Sequence, residues 1–496
     1  MSAAAGWSWR TFWVSLVLLS TLLALWGLAT PRFAVPDEPA HFLKAAGVAR
    51  GQLVGPADRP TVVEVPPALE STRQQTGCFA FQPAVSADCA PGYTGDDGPD
   101  LVAYTQAGRY PPGYYALVGL PTLVWTDLDV LYAVRGLSAA LCAALLAAAL
   151  TAAAATGRRL LTTSVGVSVT PMALFLCSGV NPSGPEIAAA LALWTAGVAL
   201  VLDGGPPPRP LLATAGVAGV VLALSRPISP FWLALIGLTL LVLAGRRRIV
   251  ELVRRRGVQV WLGALVLAAA AQSAWVLGVG SLELYGGTQE LSLAQRLEGS
   301  VDRTDERLHQ VVGWFGWLDT PAPTGVVLAW ATALAVVVCL GLRRPAPLRV
   351  VLVVLLAVGC VLVPVALEVP SVNQVGFYWQ GRYTLPLAVG LPVLAAVASR
   401  RPVAVPRSVL AVVLGAVGVA QVVCFVVVLG RYTVGSGNGL GLRDAAWPPP
   451  LPALVLAVAF SVAAAAWSIW LLLLPPADRR GGQVVVEAKH AADLAA

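Results

Sequence analysis

The chain has 496 residues, 57% of them hydrophobic and 12% charged, with a formal charge of +7. A mean hydropathy of +0.75 leaves too little polar surface to cover a water-soluble globule of this size, so the bilayer must be its solvent. Soluble enzyme classes are excluded, and the basic balance reads as membrane topology rather than nucleic-acid binding.

From the N-terminus onward, apolar runs predict an all-α fold, a polytopic transmembrane helical bundle of about 12 spans. They lie near 11–29, 131–156, 160–179, 185–202, 210–225, 228–245, 258–279, 324–342, 350–367, 384–398, 408–429 and 451–474. The fifth and sixth meet at Arg226-Pro227, which reads either as a loop or as a break in one helix. The first run exceeds a usual signal core and has only Arg10 before it, so it reads as an uncleaved helix. Arginines crowd alternate short connections, around 158–159, 209, 246–256, 343–349 and 400–407. The positive-inside rule then puts both termini of a multi-pass protein in the cytoplasm, and the Ala, Val, Leu, Gly and Arg bias with only two Lys points to a bacterial plasma membrane. A single transmembrane domain over 1–474 is expected, followed by a cytoplasmic tail over 475–496.

The outer segments are about 30–130, 280–322, 368–383 and 430–450, and loops of such length usually serve a function. In the first, Pro36-Asp37-Glu38-Pro39-Ala40-His41-Phe42 predicts a short helix N-capped by Asp37 and ended at Gly51, with Asp37 and His41 on one face. Pro56 to Pro99 is rich in Pro, Gly and Asp and reads as loop with little regular structure. Cys78 and Cys89 share this loop, and in an oxidising compartment they predict a disulfide, with free thiols as the alternative. The other five cysteines fall in apolar spans and read as small core residues. From Tyr110-Pro111-Pro112-Gly113-Tyr114-Tyr115 to Trp125 the apolar stretch is short for a span and fits an interfacial or re-entrant helix. The segment 281–312 reads as amphipathic, with Leu291, Leu293, Leu297, Val301 and Leu308 among charges.

No Gly-Lys-Ser/Thr phosphate loop, His-Glu-x-x-His, Gly-x-Ser-x-Gly or Cys-x-x-Cys pair occurs, so nucleotide use and the common hydrolase arrangements have no support. The strongest constellation is Asp37-Glu38 with His41, two carboxylates and an imidazole at the membrane surface. Partial solvation there suits such groups to proton transfer; the alternative is a helix cap with solvated charges.

Taken in order, Pro36 to Phe42, Tyr110 to Tyr115, Phe315-Gly316-Trp317-Leu318-Asp319 and Gln380-Gly381-Arg382-Tyr383 resemble an uncharacterised, domain-of-unknown-function family of bacterial predicted polytopic membrane proteins. The likeness covers most of the chain. That family in turn resembles the GT-C superfamily of glycosyltransferases, which use polyprenyl-phosphate sugars and carry an acidic residue in the first outer loop. The resemblance implies that Asp37, or else Glu38, is the catalytic carboxylate that receives or orients the acceptor hydroxyl. It implies cationic donors for the leaving phosphate, for which Arg382, Arg226, Arg109 and His41 are the outer-side candidates. Arg382 leads these, since a lone charge before an apolar span is costly unless paired; a snorkelling interface anchor is its alternative.

Tyr110, Tyr114, Trp314, Trp317, Tyr378, Trp379 and Tyr383 are candidate walls for sugar rings or isoprenes, or else an interfacial belt. Gln380 and Asp319 belong to the same motifs. Asn181-Pro182-Ser183-Gly184-Pro185-Glu186 interrupts two spans at the outer face, and an acid at that depth points to function. The family often has an acid directly after Asn-Pro, whereas here Ser183 follows and the acid is Glu186. Some GT-C enzymes need a divalent ion such as Mg or Mn, and Asp37, Glu38, Glu186 and Asp319 are the hard oxygen donors; no ligand set is assigned.

The expected function is an inverting membrane glycosyltransferase that moves a sugar from a polyprenyl-phosphate donor to a cell-envelope glycan, glycolipid or protein acceptor on the extracytoplasmic face. The alternative is a transporter or flippase of lipid-linked saccharides, and a third reading is a scaffold without chemistry. A transporter needs polar groups near the midplane of several helices, and the spans carry few ionisable residues away from their outer ends.

Overall fold

The structure is a computed structural model that describes residues 6–474 apart from 57, 94, 96, 97, 203 and 283–289. The tail expected over 475–496 lies outside the described residues. The helices run in chain order as α1 (Trp9–Ala29), α2 (Glu38–Ala49), α3 (Pro67–Glu70), α4 (Gly113–Val118), α5 (Val130–Ala155), α6 (Arg159–Ser168) and α7 (Pro171–Ser178). They continue as α8 (Ser183–Leu202), α9 (Arg209–Ser225), α10 (Ser229–Val253), α11 (Arg256–Val279), α12 (Leu293–Asp302), α13 (Thr304–Val312) and α14 (Thr324–Gly341). The last are α15 (Pro347–Glu368), α16 (Val372–Val375), α17 (Gly381–Ala388), α18 (Gly390–Ala396), α19 (Arg407–Val434) and α20 (Ala453–Leu473).

Each of the twelve apolar segments is helical, but fewer qualify as single straight spans. Eight helices among the described residues are long and apolar enough to cross a membrane: α1, α5, α8, α11, α14, α15, α19 and α20. The expected span 160–179 is instead the pair α6 and α7, bent by 63°. The cause is local: Thr170 caps α7 through the Ala173 N–H and Pro171 opens it, so the chain restarts its helix within the bilayer-length run. The expected span 384–398 divides into α17 and α18 around Val389, with Pro386 and Pro392 interrupting the backbone bonding. Arg226 to Ile228 is a turn between α9 and α10, and α10 itself breaks at Gly245, where φ is +69°.

Because lipid supplies no hydrophobic drive between helices, close contact of small residues does much of the packing. Gly341 of α14 is such a contact: a Cβ there would fall 1.9 Å from the carbonyl oxygen of Ala395, so only glycine admits the crossing of α18. At the other extreme Trp26 of α1 is fully buried among Phe175, Phe315, Phe425 and Phe460. Its truncation to alanine would cost about 3–5 kcal/mol, which makes α1 an integral part of the bundle.

The long first loop is more ordered than its composition suggests. Strands β1 (Val62–Val65) and β2 (Leu101–Tyr104) pair antiparallel across it, with Val63 opposite Ala103. Cys78 and Cys89 form a disulfide inside this loop. After it, α4 and a turn over Leu120–Leu123 leave Leu117, Leu120, Leu123, Val124 and Trp125 exposed, as an interfacial segment requires. The amphipathic stretch becomes α12 and α13, and a second short ribbon, β3 (Trp314–Phe315) with β4 (Thr320–Pro321), leads into α14. These loops gather at one end of the bundle, where α1, α5, α8, α9, α15, α17 and α19 present the ends that carry the site.

Candidate active site

Buried ion pairs organise this end of the molecule. Glu38 is wholly buried and takes the guanidinium of Arg135 bidentately, at 2.8 Å from Nε and 2.6 Å from Nη2. The remaining donors of Arg135 reach the carbonyls of Gly27, Thr30 and Pro31 at 2.7–2.8 Å. Glu38 also accepts the N–H of Val180 at 3.0 Å. The Glu38–Arg135 pair thus ties α1, α2, α5 and the α7–α8 turn together, and the acceptors of Glu38 are spent on that task. Glu186 binds Arg226 at 3.3 Å and the Ser229 hydroxyl at 2.6 Å, Asp319 binds Arg431 at 2.8 Å, and Glu368 binds Arg307.

Asp37 behaves differently. It stands at the start of α2 in the left-handed conformation, φ +58°, and its side chain makes no capping bond, contrary to the expected N-cap. The carboxylate instead turns to Arg382 at the start of α17, 2.5 Å from Nη2, and remains 38% exposed. It faces a cavity of about 380 Å³ lined also by His41, Tyr110, Gln310, Tyr378, Trp379, Gln380 and Tyr383. Leu318, at φ +59°, lies in the same wall, so two of the few left-handed non-glycine residues meet at one cavity.

The polar lining is held in place by a frame just behind it. Tyr383 lies between two guanidinium groups, Arg226 at 4.4 Å and Arg382 at 5.1 Å from its ring centre. Gln310 of α13 accepts the Gly381 N–H at 2.6 Å, and Glu368 accepts the Trp379 N–H at 2.7 Å. Lys44 donates to the carbonyls of Leu53 and Gly108, fastening α2 to the turn between β2 and Tyr110.

Burial by itself would raise the pKa of Asp37, but Arg382, with His41 and Arg226 behind it, brings the carboxyl below its ordinary 3.8. Burial and the same two arginines outweigh the attraction of Asp37 for a proton on His41, whose pKa falls to about 3. At neutral pH the carboxylate is charged and the imidazole is not. His41 Nδ1 shares a hydrogen bond with the Tyr115 hydroxyl at 2.9 Å.

Several sequence-derived candidates therefore change place. Glu38 is an internal counter-ion rather than a second carboxylate at the cavity. His41 lines the cavity but as a neutral ring, so it is no cationic phosphate donor. Arg109 does not line it and reaches the Gly280 carbonyl at 3.1 Å. Tyr114 is buried with its hydroxyl on Ser138 at 2.9 Å. Asn181 braces the loop by donating to the Pro36 carbonyl at 2.8 Å. Glu186 and Asp319 are paired with arginines behind the wall. Trp314 donates to the Leu318 carbonyl at 3.0 Å, and Trp317 packs edge-on against Phe81. Sequence reading passed over Arg135, Arg307, Glu368, Gln310 and Arg431. Arg135 carried a usable signal, a lone arginine inside the apolar run 131–156, which needs an internal partner.

Residues 19–391 match the family described as predicted membrane protein DUF2142. The chain belongs to that family. Its fold also aligns, distantly, with ArnT from Cupriavidus metallidurans in the apo state, at 14% identity and a TM-score of 0.42 over 94% of this chain and 78% of that one. The same protein bound to undecaprenyl phosphate aligns at 13% identity and a TM-score of 0.39, covering 95% and 77%. No curated protein matches the chain.

In this DUF2142 member the decisive local fact is an unfinished arginine. Arg382 is 2% exposed, and its Nε and Nη1 have no hydrogen-bond partner among the described residues. The side-chain oxygen Oε1 of Gln380 beside it is likewise unpaired among the described residues. Buried donors of this kind cost free energy unless an acceptor arrives, and a guanidinium fork suits an anionic oxygen pair. On the other side of α13 lies an apolar space of about 500 Å³, among Trp330, Leu334, Pro364, Leu385 and Val389. No group of three or more His, Cys, Asp or Glu side chains is gathered for a metal among the described residues. With Glu38, Glu186 and Asp319 each committed to an arginine, the site does not fit a carboxylate-held Mg or Mn ion.

Proposed function

We propose that the chain transfers a glycosyl group from a polyprenyl-phosphate donor to a hydroxyl of a cell-envelope glycan, glycolipid or protein, with inversion at the anomeric carbon. The observation that carries this reading is Arg382, buried, half-satisfied and in contact with an exposed carboxylate. The Pro36 to Phe42 and Gln380 to Tyr383 segments resemble the predicted membrane protein family, and the resemblance of that family to the GT-C superfamily supports the same chemistry. The donor phosphate takes the free Nε and Nη1 positions, and the isoprenoid tail occupies the apolar space beside α13. Tyr378, Trp379 and Tyr383 offer rings on which a sugar can stack.

As the phosphate engages Arg382, it weakens the hold of that guanidinium on Asp37. The carboxylate regains basicity at the moment the substrate is in place. The acceptor oxygen attacks the anomeric carbon, its proton passes to Asp37, and the bond from that carbon to the phosphate oxygen breaks with its electron pair leaving on polyprenyl phosphate. The cationic donors stabilise that developing charge, and no acid is needed for so good a leaving group. Asp37 then releases its proton to water.

The site belongs on the extracytoplasmic side in this reading, with both termini cytoplasmic. Support comes from the arginine-rich connections at the opposite end and from the Cys78–Cys89 disulfide in the loop above the site. The flippase alternative is less favoured, because the buried acids Glu38, Glu186 and Asp319 are each committed to an arginine near one end of the bundle.

The test is sugar transfer from a synthetic polyprenyl-phosphate donor by the purified protein. Wild type should form product and Asp37→Asn should lose about 100-fold or more, while the folded Asn variant still binds the donor. Full activity of Asp37→Asn would refute the assignment of Asp37. Passage of intact lipid-linked sugar across liposomes without transfer would replace it with the flippase reading.

A further inference from the structure

Two adjoining spaces open on the flank away from Asp37. The lower, about 300 Å³, is a groove between α1 and α5 walled by Ala24, Gly136, Ala139 and Ala140 and closed at its end by Arg135. The upper, about 530 Å³, lies beyond the helix ends among Arg32, Gln75, Asp88, Asp129 and Trp447. Leu28 and Tyr132 line both, so one runs into the other. Neither shares a lining residue with the cavity of Asp37.

Together they are apolar along the depth of two transmembrane helices and polar just above, which is the polarity profile of one membrane lipid. Small residues open the room for a chain. Gly136 is exposed, and a Cβ added there would meet nothing within 4 Å. The chamber's charges narrow the headgroup. Arg32 stands 3.3 Å from Asp129, and Asp88 adds a second carboxylate, leaving one cation against two anions among the described residues. A purely anionic headgroup meets net repulsion there. A phosphate near Arg32 with an ammonium between Asp88 and Asp129 meets attraction at both ends, and Tyr132 and Trp447 add ring faces for the cation.

We propose that this groove and chamber form a second amphiphile site, for one phospholipid with a zwitterionic, amine-bearing headgroup of the phosphoethanolamine type. Its position gives it consequences. Part of the chamber wall, Ala87 to Gly92, surrounds Cys89 of the disulfide, and the guanidinium closing the groove is the one that clamps Glu38. A lipid seated here braces the far side of the α2 anchor, opposite the cavity. This inference stands independently of the glycosyl-transfer reading.

The experiment uses the full-length protein, purified in detergent, delipidated and then offered phosphatidylethanolamine or phosphatidylglycerol with matched acyl chains. Native mass spectrometry counts the lipid retained. Phosphatidylethanolamine should be retained about tenfold more tightly. Gly136→Leu fills the groove and removes the packing contacts of the chain there, so it should weaken retention by about tenfold. Asp88→Asn combined with Asp129→Asn should erase the preference between the two headgroups. Should Gly136→Leu lower the melting temperature, Ala140→Leu reads the same groove from the next turn. Equal retention of both lipids, which marks an annular shell only, overturns the proposal, as does unchanged retention in both groove-filling variants. A preference for an uncharged glycolipid overturns the headgroup assignment.

Discussion

Arg382 gives one guanidinium nitrogen to Asp37 and keeps two others buried without a partner among the described residues. The pairing holds a carboxylate and its neutralising cation at the wall of one cavity, though 345 residues separate them in the chain. Removing the cation and preserving it in another shape should therefore give different results. Arg382→Ala should lower kcat/KM for transfer by roughly 100- to 1000-fold, the range for losing a principal charge-stabilising donor. Arg382→Lys keeps the charge but loses the fork, and should recover only part of that loss. Equal activity of the lysine variant and wild type would show that fork geometry is unimportant.

His41 makes stability depend on pH. Its pKa is about 3 in the folded protein against 6.5 for an ordinary histidine, so between those values the unfolded chain binds the extra proton. Stability rises with pH through that window and is lost as pH falls below 6.5, by up to about 1.4 kcal/mol per pH unit. His41→Gln, which cannot titrate, should flatten this slope between pH 6.5 and 4. Parallel thermal melts of wild type and variant across that range check it.

Glu38 and Asp37 are neighbours with separable roles. Truncating Arg135 to methionine strands the buried Glu38 charge and should destabilise the protein by about 3–5 kcal/mol, seen as a lower melting temperature in detergent. Glu38→Gln should likewise lower the melting point, while the folded fraction retains substantial transfer activity. A Glu38→Gln protein of normal stability but no activity would place the chemistry on Glu38.

The disulfide closes a short loop, with a sequence separation of 11 between Cys78 and Cys89. Cross-linking a loop of that size stabilises by about 3 kcal/mol through the unfolded chain. Reductant, or the double substitution Cys78→Ser and Cys89→Ser, should lower the unfolding midpoint accordingly. Because Arg431 donates to the Phe79 and Val85 carbonyls, Arg431→Ala should loosen the same loop without touching the cross-link, measurable as faster hydrogen exchange over 79–89.

Hydropathy was enough to read a helical membrane bundle and to locate its apolar segments, because a length of apolar chain is a local property that lipid tests directly. The likeness of four short segments was enough to bring Asp37, His41, Tyr110, Gln380 and Tyr383 under suspicion together. Breaks at Thr170-Pro171 and around Pro386 were written in the chain as well, but each lies inside a run that length alone reads as continuous. The choice between Asp37 and Glu38 was not local. Adjacent residues at a helix start point about 100° apart, and which of them meets a cavity depends on partners brought from elsewhere. Arg135, far along the chain, draws Glu38 inward, and Arg382, farther still, receives Asp37 at the wall. Sequence by itself determined the solvent, the helices and the small set of charges to watch. Only the tertiary structure decided which charge is spent on holding the bundle and which is left facing a cavity, because buried ion pairing is settled by distant groups meeting where water is excluded.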